Sequence, residues 1–580
     1  MKQKAVLIVS SIVLLALIFN ACEPLATLPD STKDKDSLTP SVTELSETVV
    51  SEEENSVVSV ETAVPATLTP EPEKAKIWFQ SHLPEDYRQL FLELDAIKEF
   101  DLVDRQDDAD IVLDFNVSEE INQYVFALVA PFRTLTDEVT FEAFRAFWNG
   151  STEFPTQKLV LTAETHYAMS LILGEPKAEL VNVLGGDDFD DYFEEGESWG
   201  IVPFDSLQSQ WKVIAINEQS PVRKAFDADE YPLKISIGLD YALPSDTHAE
   251  ELKEQFELLK QELMVALPRS NRDGSKLTTV IMTGVTAMVR ATAKEMEYKG
   301  VLHPGGDVRE VMREADIAHV SNEIPFYSSC PEPQWTQENL KFCSNPKYME
   351  LLLDIGTDVV DLTGDHFADY GADAMFETLD LYDENSLPYF GGGRDITEAT
   401  QAVKFEINGN KIAFLGCNGK EPGYARVSET EPGAYRCDMD FMVSKVQELV
   451  AEGYLPVFTF QHFEYYHWGI EKALEQDFRR IAEAGAVVVS GSQGHQPHAF
   501  EFYEGGFLHY GLGNLFFDQL TIYPDTDKAF LDRFVFYDGT IISIELLTVR
   551  FRDWSKPSWA TETEREEMLR KLFEVSNRNQ

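Results

Sequence analysis

The sequence predicts an α/β protein with two globular domains, the second larger than the first. Three observations carry this. At 580 residues the chain is too long for one hydrophobic core. From Lys276 onward, short apolar runs (TTVIMTG, ADIAHVS, TDVVDLTG, KIAFLG, LPVFTFQH, AVVVSG, GGFLHYGLG) alternate with helical patterns, as buried strands of an α/β sheet do. Before that, a polar helical stretch containing KEQFELLKQELMVAL separates this region from an earlier set of strands.

In chain order, residues 1–22 read as a lipoprotein-type signal. Met1-Lys2-Gln3-Lys4 is a basic start, Ala5 to Phe19 is an apolar run too short for a comfortable membrane span, and Asn20-Ala21-Cys22 follows. A small residue before a lone cysteine resembles a bacterial lipoprotein cleavage site, which makes Cys22 the lipidation site. Residues 23–74 are rich in Ser, Thr, Glu, Pro and Val with almost no aromatics, and read as a disordered stalk. Residues 75–240 form a first α/β domain: ADIVLDF, YVFALVAPF, GIVPFDSL and WKVIAI are its strands, and DEVTFEAFRAFWNG is a helix. A Val/Ala-Pro strand followed by a helix ending in W-x-G resembles the pattern of periplasmic solute-binding proteins. Residues 241–275 are the helical connector, 276–550 the larger domain, and 551–580 a charged C-terminal helix.

The formal net charge of -53 repels phosphate backbones, so nucleic acid is excluded as a partner. It also repels anionic lipid, so membrane attachment has to go through the N-terminal lipid. Setting Cys22 aside leaves Cys330, Cys343, Cys417 and Cys437, an even number in an exported chain. Local pairing of Cys330 with Cys343 and of Cys417 with Cys437 is the expectation, among three arrangements. A zinc site is the rival reading, and no C-x-x-C spacing supports it.

Chemistry-bearing residues gather at strand ends. Asn322-Glu323 follow IAHVS, Asp365-His366 follow VVDLTG, His462 follows VFTFQ, and Gln493 and His495 follow AVVVSG. Imidazoles and carboxylates on loops at one sheet edge suit a first-row divalent ion. The competing reading is a hydrogen-bonded turn at Asp365-His366 and structural histidines elsewhere.

The order of these segments resembles the CapA family of bacterial capsule and poly-γ-glutamate synthesis proteins. That family reads GD…R, NLE-x-P, ANNH-x-x-DYG, HWG-x-E, G-x-H-P-H and YSLGNFVFD. This chain reads TGVTAMVR, SNEIPF, TGDHFADYG, QHFEYYHWGIE, GSQGH and YGLGNLFFD. The resemblance implies a calcineurin-like metallophosphatase fold, an αββα sandwich, for the larger domain. It implies metal ligation by Glu323, Asp365, His366, His462 and His495, with His366 and His462 also the catalytic candidates. Gln493, Asn322 and His467 are weaker ligands, His467 because the letters HWG-x-E recur at His467 to Glu471. Asp369, Asn514 and Arg290 are structural supports. The cofactor implied is a divalent metal (Mn, Fe, Zn or Mg), one ion rather than two, or none.

Departures from the family pattern point to "one or none". Val285 stands where the family has its first-motif Asp, Gln493 replaces a histidine, and Gly364 replaces an asparagine. Three functions compete. The first is a metal-dependent hydrolase acting on a cell-surface polymer or its phosphorylated precursor. The second is a non-catalytic polymer-binding or export protein on a degenerate fold. The third is a solute-binding lipoprotein. With 101 acidic and 48 basic residues, contact with a polyanion needs a local basic patch or bridging cations.

Overall fold

In the computed structural model the described residues are 74–577, apart from 186–197, 243–249, 421–422, 424–426 and 521. The signal with Cys22 and the stalk up to residue 73 lie outside them. The described residues belong to one compact unit, Pro72–Gln580.

The first domain is built on a ten-stranded mixed sheet. Its longest strand, Glu119–Pro131, is apolar for most of its length and buried on both faces from Val125 to Ala130. It pairs antiparallel with Lys234–Tyr241 along its first half, and with Trp199–Pro203 and Trp211–Ile216 along its second. The helices Phe141–Trp148 and Ala163–Leu173 each start at a threonine, Thr140 and Thr162, whose hydroxyl accepts from a backbone N–H three residues on. The connector helix Glu250–Ala266 buries Phe256, Leu259 and Leu263 in this domain's core. Beyond it, Asn271 bonds the backbone N–H and C=O of Val125, which ties the connector to the central strand.

The second domain has two sheets face to face. The nine-stranded sheet runs Tyr389–Phe390, Val359–Asp361, Ile317–Asn322, Leu277–Met282, Lys528–Tyr537, Thr540–Phe551 and Pro557–Trp559, with Val285–Thr286 paired to Ile317–Asn322 and Asn514–Phe516 paired in turn to Val285–Thr286. The six-stranded sheet runs Val403–Ile407, Asn410–Asn418, Leu455–Gln461, Val488–Gly491, Gly506–His509 and Phe500–Tyr503. One core joins the two inner faces, with Val280, Met282, Ile317 and Val359 meeting Ile412, Phe414, Val457 and Val488. Helices close the outer faces: Met296, Met312, Leu352 and Leu379 pack over the first sheet, and Val446, Leu449, Phe478 and Ile481 over the second. The C-terminal helix Glu562–Asn577 adds Met568, Leu569, Leu572 and Phe573 to the inter-sheet core. The order of layers is therefore helix, sheet, sheet, helix, an α/β sandwich preceded by a smaller α/β domain.

Both disulfides are local, Cys330–Cys343 and Cys417–Cys437, as the spacing suggested.

Candidate functional site

Parallel strands of both sheets end on one edge of the sandwich, and the loops leaving them meet there. Glu323 follows Ile317–Asn322, Asp365 and His366 follow Val359–Asp361, Gln461 closes Leu455–Gln461, and Gln493 follows Val488–Gly491. The approach of the first two loops is close. A Cβ on Gly364 would lie 2.5 Å from the Cα of Glu323, so only glycine fits where the family motif has asparagine.

Glu323, Asp365 and His366 come together, each offering a ligand atom within 4.8 Å of the others. Asp365 is 4% exposed and Glu323 2%. Burial, then the neighbouring Asp365, pushes the Glu323 carboxyl well above its ordinary range. Burial also acts to raise Asp365, but the His366 and Lys420 charges hold it below the usual carboxylate value. His366 Nδ1 lies 2.7 Å from Asp369 Oδ2, and Asp369 Oδ2 also accepts from the Phe342 N–H at 2.7 Å. Burial opposes charge on His366, yet Asp369 and Asp365 raise its pKa. Asp369 thus links His366 to the backbone at Phe342.

The other expected ligands are placed differently. His462 turns away. Successive residues of a strand point to opposite faces, so Gln461 and His462 cannot both face the group. The His462 Nδ1 accepts from the Phe463 N–H at 3.0 Å, and its Nε2 lies 3.2 Å from Asp477 Oδ2. Gln461 is the residue that reaches in. His467 is half exposed and pairs with Glu471 on the surface, at 2.9 Å. Asn322 uses its amide N–H on Ile324 O and Tyr382 Oη, both at 2.8 Å. His495 sits to one side, with Nδ1 2.9 Å from Asn514 Oδ1 and Nε2 3.5 Å from Glu464 Oε1. That histidine overcomes the effect of burial and holds the Glu464 carboxyl down to about 2. Arg290, with φ 44°, is held by Asp518 Oδ1 at 2.5 and 3.0 Å between the rings of Phe342 and Phe517.

Two central residues escaped sequence reasoning. Gln461 donates its amide N–H to Glu323 Oε1 and Asp365 Oδ1, each at 3.0 Å, and touches Gln493 Oε1. Lys420 places its ammonium 2.5 Å from Asp365 Oδ2. Strand alternation separates Gln461 from His462 but does not say which of them faces the carboxylates. Nothing local marks Lys420, which lies 55 residues from its partner.

Val285, at the position of the missing carboxylate, is fully buried in an apolar cluster with Ala287, Val289, Ile324, Phe342 and Phe517. Val285 itself offers packing and no donor atom, so the carboxylate that a two-ion centre would take from this position is missing.

Residues 279–519 match the family model described as bacterial capsule synthesis protein PGA_cap. Among curated proteins, the capsule biosynthesis protein CapA of Bacillus anthracis is 25% identical over 268 residues, covering 45% of this chain and 64% of that protein. The PGA biosynthesis protein CapA of Bacillus subtilis (strain 168) is 26% identical over 262 residues, covering 43% and 66%. The chain thus matches just under two thirds of each relative's length. Among solved structures, the 5'-nucleotidase precursor of Thermus thermophilus aligns at 12% identity with a TM-score of 0.29, covering 52% of this chain and 59% of that one. An ABC-type phosphate transport receptor from Vibrio cholerae aligns at 16% identity with a TM-score of 0.27, covering 33% and 97%.

Proposed function

Starting from a larger domain that carries the capsule-synthesis family match over residues 279–519, we propose that this chain takes part in making or exporting a cell-surface polymer of the capsule type. In this reading it engages the polymer or its precursor without hydrolysing it through a two-metal centre. One observation carries the non-hydrolytic part: Val285 fills the first-motif ligand position with packed hydrocarbon. A two-ion displacement needs a ligand set that holds both ions about 4 Å apart, and a valine supplies none. Poly-γ-glutamate is the polymer suggested by the relatives' names.

The protein works outside the cytoplasm and is held to the membrane through a lipid on Cys22, with residues 23–74 as spacer. Among the described residues, no helix is long and apolar enough to cross a membrane.

The test is a deletion in the source organism complemented with wild type or His366→Ala, with surface polymer quantified and the protein level checked by immunoblot. The expected outcome is polymer lost on deletion and restored equally by both forms. Polymer lost with His366→Ala at normal protein level would restore the hydrolase reading. Unchanged polymer in the deletion would remove the polymer role.

A further inference from the structure

The geometry points to Lys420 and Gln461 as internal replacements for a divalent ion, so that the strand-end centre is complete without metal. This does not depend on the polymer role.

Lys420 follows the strand Asn410–Asn418, and its backbone N–H is anchored on Asn418 Oδ1 at 2.9 Å. Its side chain is 9% exposed, and its Nζ meets Asp365 Oδ2, whose side chain is 3% exposed. A buried ammonium at that distance neutralises the carboxylate directly.

Gln461 takes the middle of the group. Its Oε1 accepts from Ser492 Oγ at 3.0 Å, which orients the amide and turns its nitrogen toward Glu323, Asp365 and Gln493. Gln493 is oriented in turn, since its own nitrogen donates to Glu464 Oε1 at 2.9 Å. The reverse orientation would set the Gln461 oxygen against three other oxygens. An amide NH2 has hydrogens to give and no lone pair for a metal. The oxygens that would bind an ion therefore converge on a hydrogen-bond donor.

Two of the carboxylates already have a basic partner without an ion: Asp365 has the Lys420 ammonium and Asp369 has His366. Glu323 has no cation of its own and takes the Gln461 amide N–H. A dication placed on Asp365 would face the Lys420 ammonium across one carboxylate. The rival arrangement is a single ion on Glu323, Asp365 and His366, which are close enough to bind one. Glu323 Oε2 has no hydrogen-bond partner among the described residues, so that arrangement has one free oxygen to start from.

The experiment uses the full chain. The protein is stripped with EDTA, titrated with Mn²⁺ and separately with Zn²⁺, desalted, and assayed for bound metal. Free Mn²⁺ is followed by EPR, and the melting temperature is recorded with and without each ion. Wild type is expected to retain no ion and to melt at the same temperature in EDTA and in Mn²⁺. The double variant Lys420→Ala/Gln461→His, which removes the ammonium and adds an imidazole, is expected to bind Mn²⁺ at least about tenfold more tightly. One ion per chain retained by wild type, raising its melting temperature and lost in His366→Ala, would overturn the proposal. Should the double variant not fold, the wild-type titration decides alone.

Discussion

Changing Lys420 to methionine tests whether the buried ion pair holds the site. The substitution keeps most of the side-chain volume and removes the charge, leaving Asp365 buried with the Gln461 amide on its other oxygen and His366 beside it. At the observed 2.5 Å and an effective dielectric of about 20, the gross attraction is about 7 kcal/mol. Desolvation of both ions offsets much of this. The measured loss on breaking a buried pair from one side is about 3–5 kcal/mol, mainly because a charge is stranded. Asp365→Asn removes the carboxylate in contact with the ammonium but leaves it in the field of Glu323 and Glu464, so it should cost less, about 2 kcal/mol. The double variant Lys420→Met/Asp365→Asn strands nothing and should lose less than about 2 kcal/mol, a coupling of at least about 3 kcal/mol. The assay is urea unfolding of the four proteins in EDTA, followed by tryptophan fluorescence and by circular dichroism, with coincidence of the two probes required. A Lys420→Met protein within about 1 kcal/mol of wild type, or single losses that simply add, would refute the reasoning.

Three further outcomes are expected. His319, on the strand leading to Glu323, is fully buried with neither ring nitrogen bonded, and burial depresses its pKa from 6.5 to about 3; the unfolded chain therefore binds the proton first, stability falls as pH drops below about 6.5, and the loss reaches about 2 kcal/mol by pH 5. A melting series from pH 8 to pH 4.5 checks this, and His319→Leu should flatten that part of the slope. Val285→Asp should destabilise by several kcal/mol, since it puts a carboxylate among Ala287, Ile324, Phe342 and Phe517; an unchanged melting temperature would mean that water or an ion reaches that corner. Replacing both Cys417 and Cys437 with alanine should cost about 3 kcal/mol for a loop of 20 residues, read as a lower urea midpoint, with an m-value no smaller than that of wild type because the unfolded chain loses a cross-link.

The layering and the location of the site were legible because each rests on a local pattern. Near-continuous apolar runs such as Leu277–Met282 and Leu455–Gln461 can only be buried strands between helices. Loops leaving the ends of such strands are where side chains converge, which placed Glu323, Asp365 and His366 together. Disulfide pairing was legible for a related reason: cysteines 13 and 20 residues apart meet within a single loop.

The inner arrangement of the site was another matter. His462 looked like a ligand because histidine is the commoner one, yet the two-residue period of the strand gives that face to Gln461. That period is written in the sequence, but which of its two faces meets the carboxylates depends on how the two sheets pack.

The sequence by itself determined a second domain of buried strands between helices and a carboxylate–imidazole group at their ends. Both follow from residue type and spacing along a few neighbouring positions, whereas the lost donor at Val285 came only from the resemblance to the CapA family. Only the tertiary structure decided that the group faces Lys420 and Gln461. Those partners arrive from strands 55 and 96 residues away from Asp365, and a charge pair across that separation is set by sheet order and burial, which no local pattern encodes.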